Sequence, residues 1–273
     1  GRRVSRLGDV TQDGLDEFLV GAVFESSIYT MGGAIYRAGG AGGELASQPA
    51  LRPAGESWFL GAALDGGADI DGDGSPEFLV SATGYEQGTG GVWLLAGTIL
   101  GVSQTLTTAP NIQGDTTGVY TGSGARFIGD VTGDGLEDIA VSAPYAEAHG
   151  LVGAGKVGIF TAYDLGNFHL SDADIVVAGA YENATIGNSI DPMGDIDGDG
   201  IEDYLISAEN GDIGSVLAGG IQPDDHQDAI FRLMGSQGAI NQVGDINGDG
   251  QKDLACIINS NEVRFFTTLF ATP

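Results

Sequence analysis

The feature that most constrains the fold is an acidic loop that recurs five times, each copy running directly into a short apolar stretch. The copies begin at Asp9, Asp69, Asp130, Asp195 and Asp245 and fit D-x-[D/N/T]-x-D-G-x-x-[D/E]. Intervals of 60, 61, 65 and 50 residues make this a repeat architecture and not an isolated motif. Oxygen-bearing side chains alternate along an extended turn, a glycine holds the sixth position and an acid closes the ninth. That chemistry suits Ca2+, a hard cation satisfied by about six to eight oxygens.

The charge of the chain follows the same loops. Twenty of the 38 acids lie within the five nine-residue motifs, and without them the net charge of −28 would fall to −8. Five bound Ca2+ ions would bring the total to −18. A field of this sign disfavours nucleic acid and anionic lipid, which need basic patches, and the chain has only Lys156 and Lys252 as lysines. The single cysteine, Cys256, excludes an internal disulfide framework and reads as a buried small hydrophobe within Leu254–Ile258. The best apolar run, Val92 to Val102, is short and broken by glycine, so no direct membrane insertion is expected. The absence of Met at Gly1 reads as processing or excision.

Each loop leads into a near-continuous apolar run: Phe18–Val20, Phe78–Val80, Ile139–Val141, Tyr204–Ile206 and Leu254–Cys256. A pair of small residues ends four of them, Gly21-Ala22, Ser81-Ala82, Ser142-Ala143 and Ser207-Ala208. Short apolar runs bounded by turn signals read as strands buried on both faces. A second strand follows at Ala34–Tyr36, Val92–Leu95, Val157–Phe160, Val216-Leu217 and Val263–Phe266, with weaker candidates at Asp174–Val177 and Ala229–Phe231. Counting the strand that enters each loop gives about four per repeat. Radial repetition of four antiparallel strands is the β-propeller's answer to exposed sheet edges, so the expected class is all-β. An EF-hand needs a Glu at loop position twelve and flanking helices. Position twelve here is Val20, Val80, Val141, Ile206 and Cys256, which excludes it.

The run Gly129-Asp130-Val131-Thr132-Gly133-Asp134-Gly135-Leu136-Glu137-Asp138-Ile139-Ala140-Val141-Ser142-Ala143-Pro144 resembles the central signature of FG-GAP repeats, the blades of integrin α-subunit propellers. The likeness extends over essentially the whole chain. The Phe-Gly of the name is degraded, with Phe59-Leu60-Gly61 nearest to it, and the closing Ala-Pro survives only at Ala143-Pro144. The expected organisation is one domain, 1–273, with repeats at about 1–57, 58–120, 121–183, 184–233 and 234–273. Five blades form either a small ring or part of a seven-bladed one. The ring is favoured because an open arc would leave two apolar blade faces bare.

The resemblance implies that each loop is the hairpin between a blade's first and second strands. Positions one, three, five and nine then bind Ca2+ through side chains and position seven through its carbonyl, giving up to five ions. The implied sets are Asp9, Thr11, Asp13, Leu15 and Glu17; Asp69, Asp71, Asp73, Ser75 and Glu77; and Asp130, Thr132, Asp134, Leu136 and Asp138. The remaining two are Asp195, Asp197, Asp199, Ile201 and Asp203, then Asp245, Asn247, Asp249, Gln251 and Asp253. Charge count tunes Ca2+ affinity, which ranks the fourth and second loops tightest and the first weakest. Plain acidic turns are the competing reading. They give clustered carboxylates no reason to tolerate their mutual repulsion.

No loop shows a base or nucleophile beside a vacant metal position, so the ions read as structural and the chain as no enzyme. Gly150–Lys156 imitates a phosphate loop but lacks Ser or Thr after the lysine and a following helix. His149, His169 and His226 are isolated, and Asn183-Ala184-Thr185 is a sequon of common form. The expected function is an extracellular or cell-surface adhesion or ligand-binding module within a larger chain or assembly. The resemblance places its protein or glycan ligand on the face opposite the Ca2+ loops, with Phe24, Tyr29, Trp58, Tyr85, Tyr120, Tyr145 and Tyr181 as candidate contacts. The alternatives are an architectural subunit of a surface assembly, or an accessory domain of an enzyme acting on polysaccharide or lipid.

Overall fold

A computed structural model describes residues 3–26, 29–39, 48–101, 103–161, 166–208, 212–220, 231–234, 240–250, 252–258 and 262–266. Apolar β-forming runs separated by glycine turns give an all-β chain of several antiparallel sheets, consistent with a β-propeller built from repeats. Sheet 1 holds β1 (Arg3–Gly8), β2 (Glu17–Gly21), β3 (Ile35–Gly39) and β4 (Leu51–Pro53). Sheet 2 holds β5 (Leu60–Ala68), β6 (Glu77–Ala82) and β7 (Gly91–Ala96). Next in the chain comes β8 (Gln104–Leu106), which joins sheet 1, and then β9 (Ile112–Gln113), which pairs with β7 in sheet 2.

Sheet 3 holds β10 (Ala125–Gly129), β11 (Asp138–Ala143) and β12 (Lys156–Thr161). The chain then forms β13 (Phe168–His169), which joins sheet 2, and β14 (Ile175–Ala178), the outer strand of sheet 3. Sheet 4 holds β15 (Ile186–Gly194), β16 (Asp203–Ala208), β17 (Asp212–Leu217) and β18 (Phe231–Met234), and sheet 5 holds β19 (Ile240–Gly244), β20 (Asp253–Ile258) and β21 (Glu262–Phe266). Helical structure among the described residues is limited to single turns such as Tyr85–Gly88. The chain divides into two compact units, residues 1–127 with 163–172 and residues 128–162 with 173–273.

Within each unit the core lies between successive sheets. In the first, Leu7, Leu19, Ile35 and Leu51 of sheet 1 share one buried cluster with Leu64, Phe78, Val80 and Trp93 of sheet 2. In the second, Ala140, Val157, Ile159 and Ile175 of sheet 3 share one with Ile190, Tyr204, Ile206 and Leu217 of sheet 4. β6, β11 and β16 are buried at every residue, which explains why they read as continuous apolar runs without alternation.

The small pairs that end the second strands have a packing cause. A Cβ on Gly21 would meet the Gly61 carbonyl oxygen at 2.7 Å, and one on Gly122 would meet Ser81 Cβ at the same separation. Gly187 abuts Ser142 in the same manner. Gly61, Gly122 and Gly187 all have φ near +90°, a region that favours glycine, and each lies in or just before the first strand of the next sheet. The hydroxyls of Ser81 and Ser207 also accept the N–H groups of Ala63 and Ser189 at 2.7 Å, where the first strand bulges off its ladder.

Candidate metal centres

Every acidic loop is the hairpin between the first and second strands of a sheet. The five first strands end at Gly8, Ala68, Gly129, Gly194 and Gly244, and the five second strands begin at Glu17, Glu77, Asp138, Asp203 and Asp253. In four of them the ladder slips by a residue just before the loop, which releases the chain from pairing as it turns.

Position one organises the turn. The Asp9 carboxylate accepts the N–H groups of Asp13 and Gly14 at 3.0 and 2.8 Å, and Asp69 accepts those of Gly72 and Gly74 at 2.9 and 3.0 Å. Asp130 accepts three, from Gly133, Asp134 and Gly135, at 2.7–3.0 Å. Asp195 repeats the pattern with Gly198 and Gly200, and Asp245 with Gly248, Asp249 and Gly250. These are Asx turns, in which a short carboxylate gathers the amides of its own loop. The Gly250 N–H is the leading reason that the Asp245 carboxyl sits below its ordinary range. The position-seven amides of Leu15, Ser75, Leu136 and Ile201 donate to the carboxylates of Asp13, Asp73, Asp134 and Asp199 at 2.7–3.0 Å. Gln251, expected to offer the corresponding carbonyl of the fifth loop, lies outside the described residues.

Position nine plays a different part. Glu17, Glu77, Asp138, Asp203 and Asp253 are all buried, none more than 5 % exposed. Each accepts the N–H of position two: Val10 at 2.9 Å, Ile70 at 3.1 Å, Val131 at 2.9 Å, Ile196 at 2.8 Å and Ile246 at 2.7 Å. Burial pushes the Asp138 carboxyl up to about 6, against the opposing hydrogen bonds from Thr132 and Val131. Burial likewise raises Asp203 and Glu77, with the nearby loop aspartates adding to the rise. The ionised forms of Asp138, Asp203 and Glu77 are thus disfavoured in the loop alone, and a cation would favour them.

Positions one, three and five are exposed except for the half-buried Asp9, Asp130 and Thr132, and two loops draw carboxylates together. Asp69, Asp71 and Glu77 offer oxygens within 4.8 Å of one another, and so do Asp195, Asp197 and Asp199. Ca–O distances of about 2.4 Å put any two ligand oxygens at most about 4.8 Å apart, so both groups fit a hard divalent cation. In loop two Asp73 stands outside the gathered trio, and in loop four Asp203 does. The first and third loops have Thr at position three, whose hydroxyls donate to Glu17 at 2.9 Å and Asp138 at 3.3 Å. In the fifth, Asn247 Nδ2 donates to Asp249 at 2.9 Å.

One element of the loop escaped the sequence reading. Position four is Gly72, Gly133, Gly198 or Gly248 in four loops, at φ of 75–86°, and Gln12 in the first, at 57°. The recurring glycine was visible in the sequence but was treated as a variable position. The candidate ligand-contact aromatics lie in connections at the end of each sheet away from its hairpin. Phe24, Tyr120, Tyr145 and Tyr181 are exposed, whereas Trp58 and Tyr85 pack against Trp93, with centroids 5.9 and 5.5 Å from its ring. Tyr29 is half-buried, beside Glu25 and Arg52 in a shallow pocket. Lys156, the end of the phosphate-loop imitation, opens strand β12. His149 and His169 are exposed, and His226 lies outside the described residues.

The FG-GAP repeat family matches residues 60–95 and 128–160, the stretches that carry the second and third loops. Integrin alpha-5 of Xenopus laevis is 32% identical over 93 residues, 32% of this chain and 9% of that protein. Integrin alpha-PS5 of Drosophila melanogaster is 30% identical over 139 residues, 46% of this chain and 14% of its own length. Integrin alpha-4 of Xenopus laevis is 33% identical over 159 residues, 50% of this chain and again 14% of the relative. The chain therefore spans only a small part of the relatives it matches. Two stretches of the chain thus match the FG-GAP repeat family, and over part of its length the chain is similar to integrin α-subunits.

Proposed function

We propose that this chain is an extracellular adhesion or ligand-binding propeller in which Ca2+ ions, up to five, lock the hairpins between first and second strands. The observation that carries this reading is the recurrence of one hydrogen-bonded scaffold in five loops. A turn-forming Asp stands at position one, a buried acid at position nine, and in two loops three carboxylates lie within Ca2+-ligand spacing. Side chains at positions one, three, five and nine would hold the ion. When bound it would neutralise carboxylates that otherwise repel one another. The chain's own contribution is to pre-form the turn through its backbone amides, so that little ordering remains for the cation to impose.

The FG-GAP and integrin-like relatives point to a non-enzymatic adhesion domain within a larger assembly. No helix among the described residues is long and apolar enough to cross a membrane. The exposed Phe24, Tyr120, Tyr145 and Tyr181 support a protein or glycan ligand at the ends of the sheets away from the hairpins, since aromatics are favoured interface anchors. Binding to arrays of glycans and secreted matrix proteins, with Ca2+ or with EDTA, tests the reading. The expected result is a hit that EDTA abolishes and that Phe24→Ala or Tyr145→Ala weakens. Turnover of a polysaccharide or lipid on the same arrays would favour the enzymatic alternative instead.

A further inference from the structure

The loops of neighbouring sheets meet at a fixed place. Within each compact unit, loop position eight of one sheet lies on the glycine that precedes position one of the sheet before it. Pro76 Cγ is 3.4 Å from where a Cβ of Gly8 would stand. A Cβ on Gly129 would collide with a carboxylate oxygen of Glu202, and Lys252 Nζ is 4.0 Å from the corresponding point on Gly194. Hydrogen bonds hold the last two contacts: the Glu202 N–H donates to the Asp130 carbonyl at 3.3 Å, and Lys252 Nζ donates to the Pro192 carbonyl at 3.4 Å. The geometry repeats, but the chemistry does not. The visiting side chain is uncharged at loop one, anionic at loop three and cationic at loop four.

Gly129 and Gly194 each stand one peptide, about 3.8 Å between Cα atoms, before the aspartate that organises their loop. A charge at that spot acts within the Debye length of about 8 Å at physiological ionic strength. Glu202 and Lys252 are both half-buried, where salt screens them less than on an open surface. Resting on the reading of these loops as Ca2+ sites, we propose that position eight of the following loop sets the cation affinity of the loop it touches. Glu202 strengthens Ca2+ binding at loop three, and Lys252 weakens it at loop four. Loop three also has Glu137 Oε1 accepting the Gly129 N–H at 2.8 Å, so two carboxylates meet at that glycine. Loop four has a carboxylate at position three where loop three has Thr132, and the visiting charges remove that advantage.

A Ca2+ titration of the whole chain, followed by NMR at the backbone amides of Gly135 and Gly200, reads the two loops separately, since these are their position-six glycines. In low salt Lys252→Gln should tighten loop four by about 3- to 10-fold, and Glu202→Gln should weaken loop three by a similar factor, each with a smaller change at the other loop. Lys252→Arg should bind as the wild type does. Both effects should shrink in about 1 M KCl, where the Debye length is about 3 Å, whereas a packing defect would persist. Damage to the fold cannot tighten a site, so the Lys252→Gln result stands whatever Glu202→Gln does to stability. Amides that shift with Ca2+ at the wild-type midpoint in Lys252→Gln overturn this proposal and leave Ca2+ binding itself in place. Amides of the wild type that do not respond to Ca2+ overturn both.

Discussion

Gln12 is the clearest case of one residue working against its loop. Positions four and six must both take positive φ for the first aspartate to collect its amides, and glycine fills position six everywhere but position four in only four loops. A non-glycine residue held there costs on the order of 1–3 kcal/mol, offset in part by the extra chain entropy glycine has when unfolded. Gln12→Gly should therefore raise stability by about 0.5–1 kcal/mol, read from urea unfolding, while Gly72→Gln lowers it. The closing acids give a pH signature. Asp138 is raised to about 6, so its contribution in the metal-free protein is present at low pH and lost as pH rises through about 6; Asp203 and Glu77 are raised as well and act in the same direction. Ca2+ favours the ionised form, so the gap in melting temperature between Ca2+ and EDTA should widen as pH climbs from 5 to about 7. A gap that does not change over this window contradicts the assignment.

At the scale of the element, the hairpin divides its labour between exposed and buried acids. Asp203 accepts N–H groups from Ile196 at 2.8 Å and Gly219 at 3.0 Å, tying its loop to the strand ends, whereas Asp197 holds only the Asp199 amide within the turn. Asp203→Ala should destabilise the protein in EDTA by about 1–3 kcal/mol, the cost of stranding buried amides. Asp197→Ala should show its loss only when Ca2+ is present. Equal losses in EDTA would remove the distinction. The main strands were legible because apolar runs, glycine turns and small end-pairs all pointed the same way. The edge strands were not: β8 pairs parallel with β4 over Leu51–Pro53, and β13 pairs parallel with β9 through Phe168 and His169. Two or three residues carry no periodicity, and their pairing is set by backbone groups that have no sequence signature. Their physical role is to cover sheet edges that would otherwise template association.

Over the whole molecule, the fivefold loop spacing and the blade topology could both be read from residues, because a repeat states its pattern several times and errors at one copy are corrected by the others. The five acidic loops were legible as turns rich in oxygen-bearing side chains, and the structure makes each of them a hairpin. What stayed hidden was that position nine is buried before it is anything else, a property of where the second strand starts and not of the acid itself. The central claim is that divalent cations lock the hairpins, and differential scanning calorimetry in saturating Ca2+ and then in EDTA tests it most directly. With Ca2+ tenfold above Kd at each of five independent sites, linkage adds about 7 kcal/mol in total, so EDTA should lower the melting temperature by many degrees. A chain that melts at the same temperature in both would contradict the account.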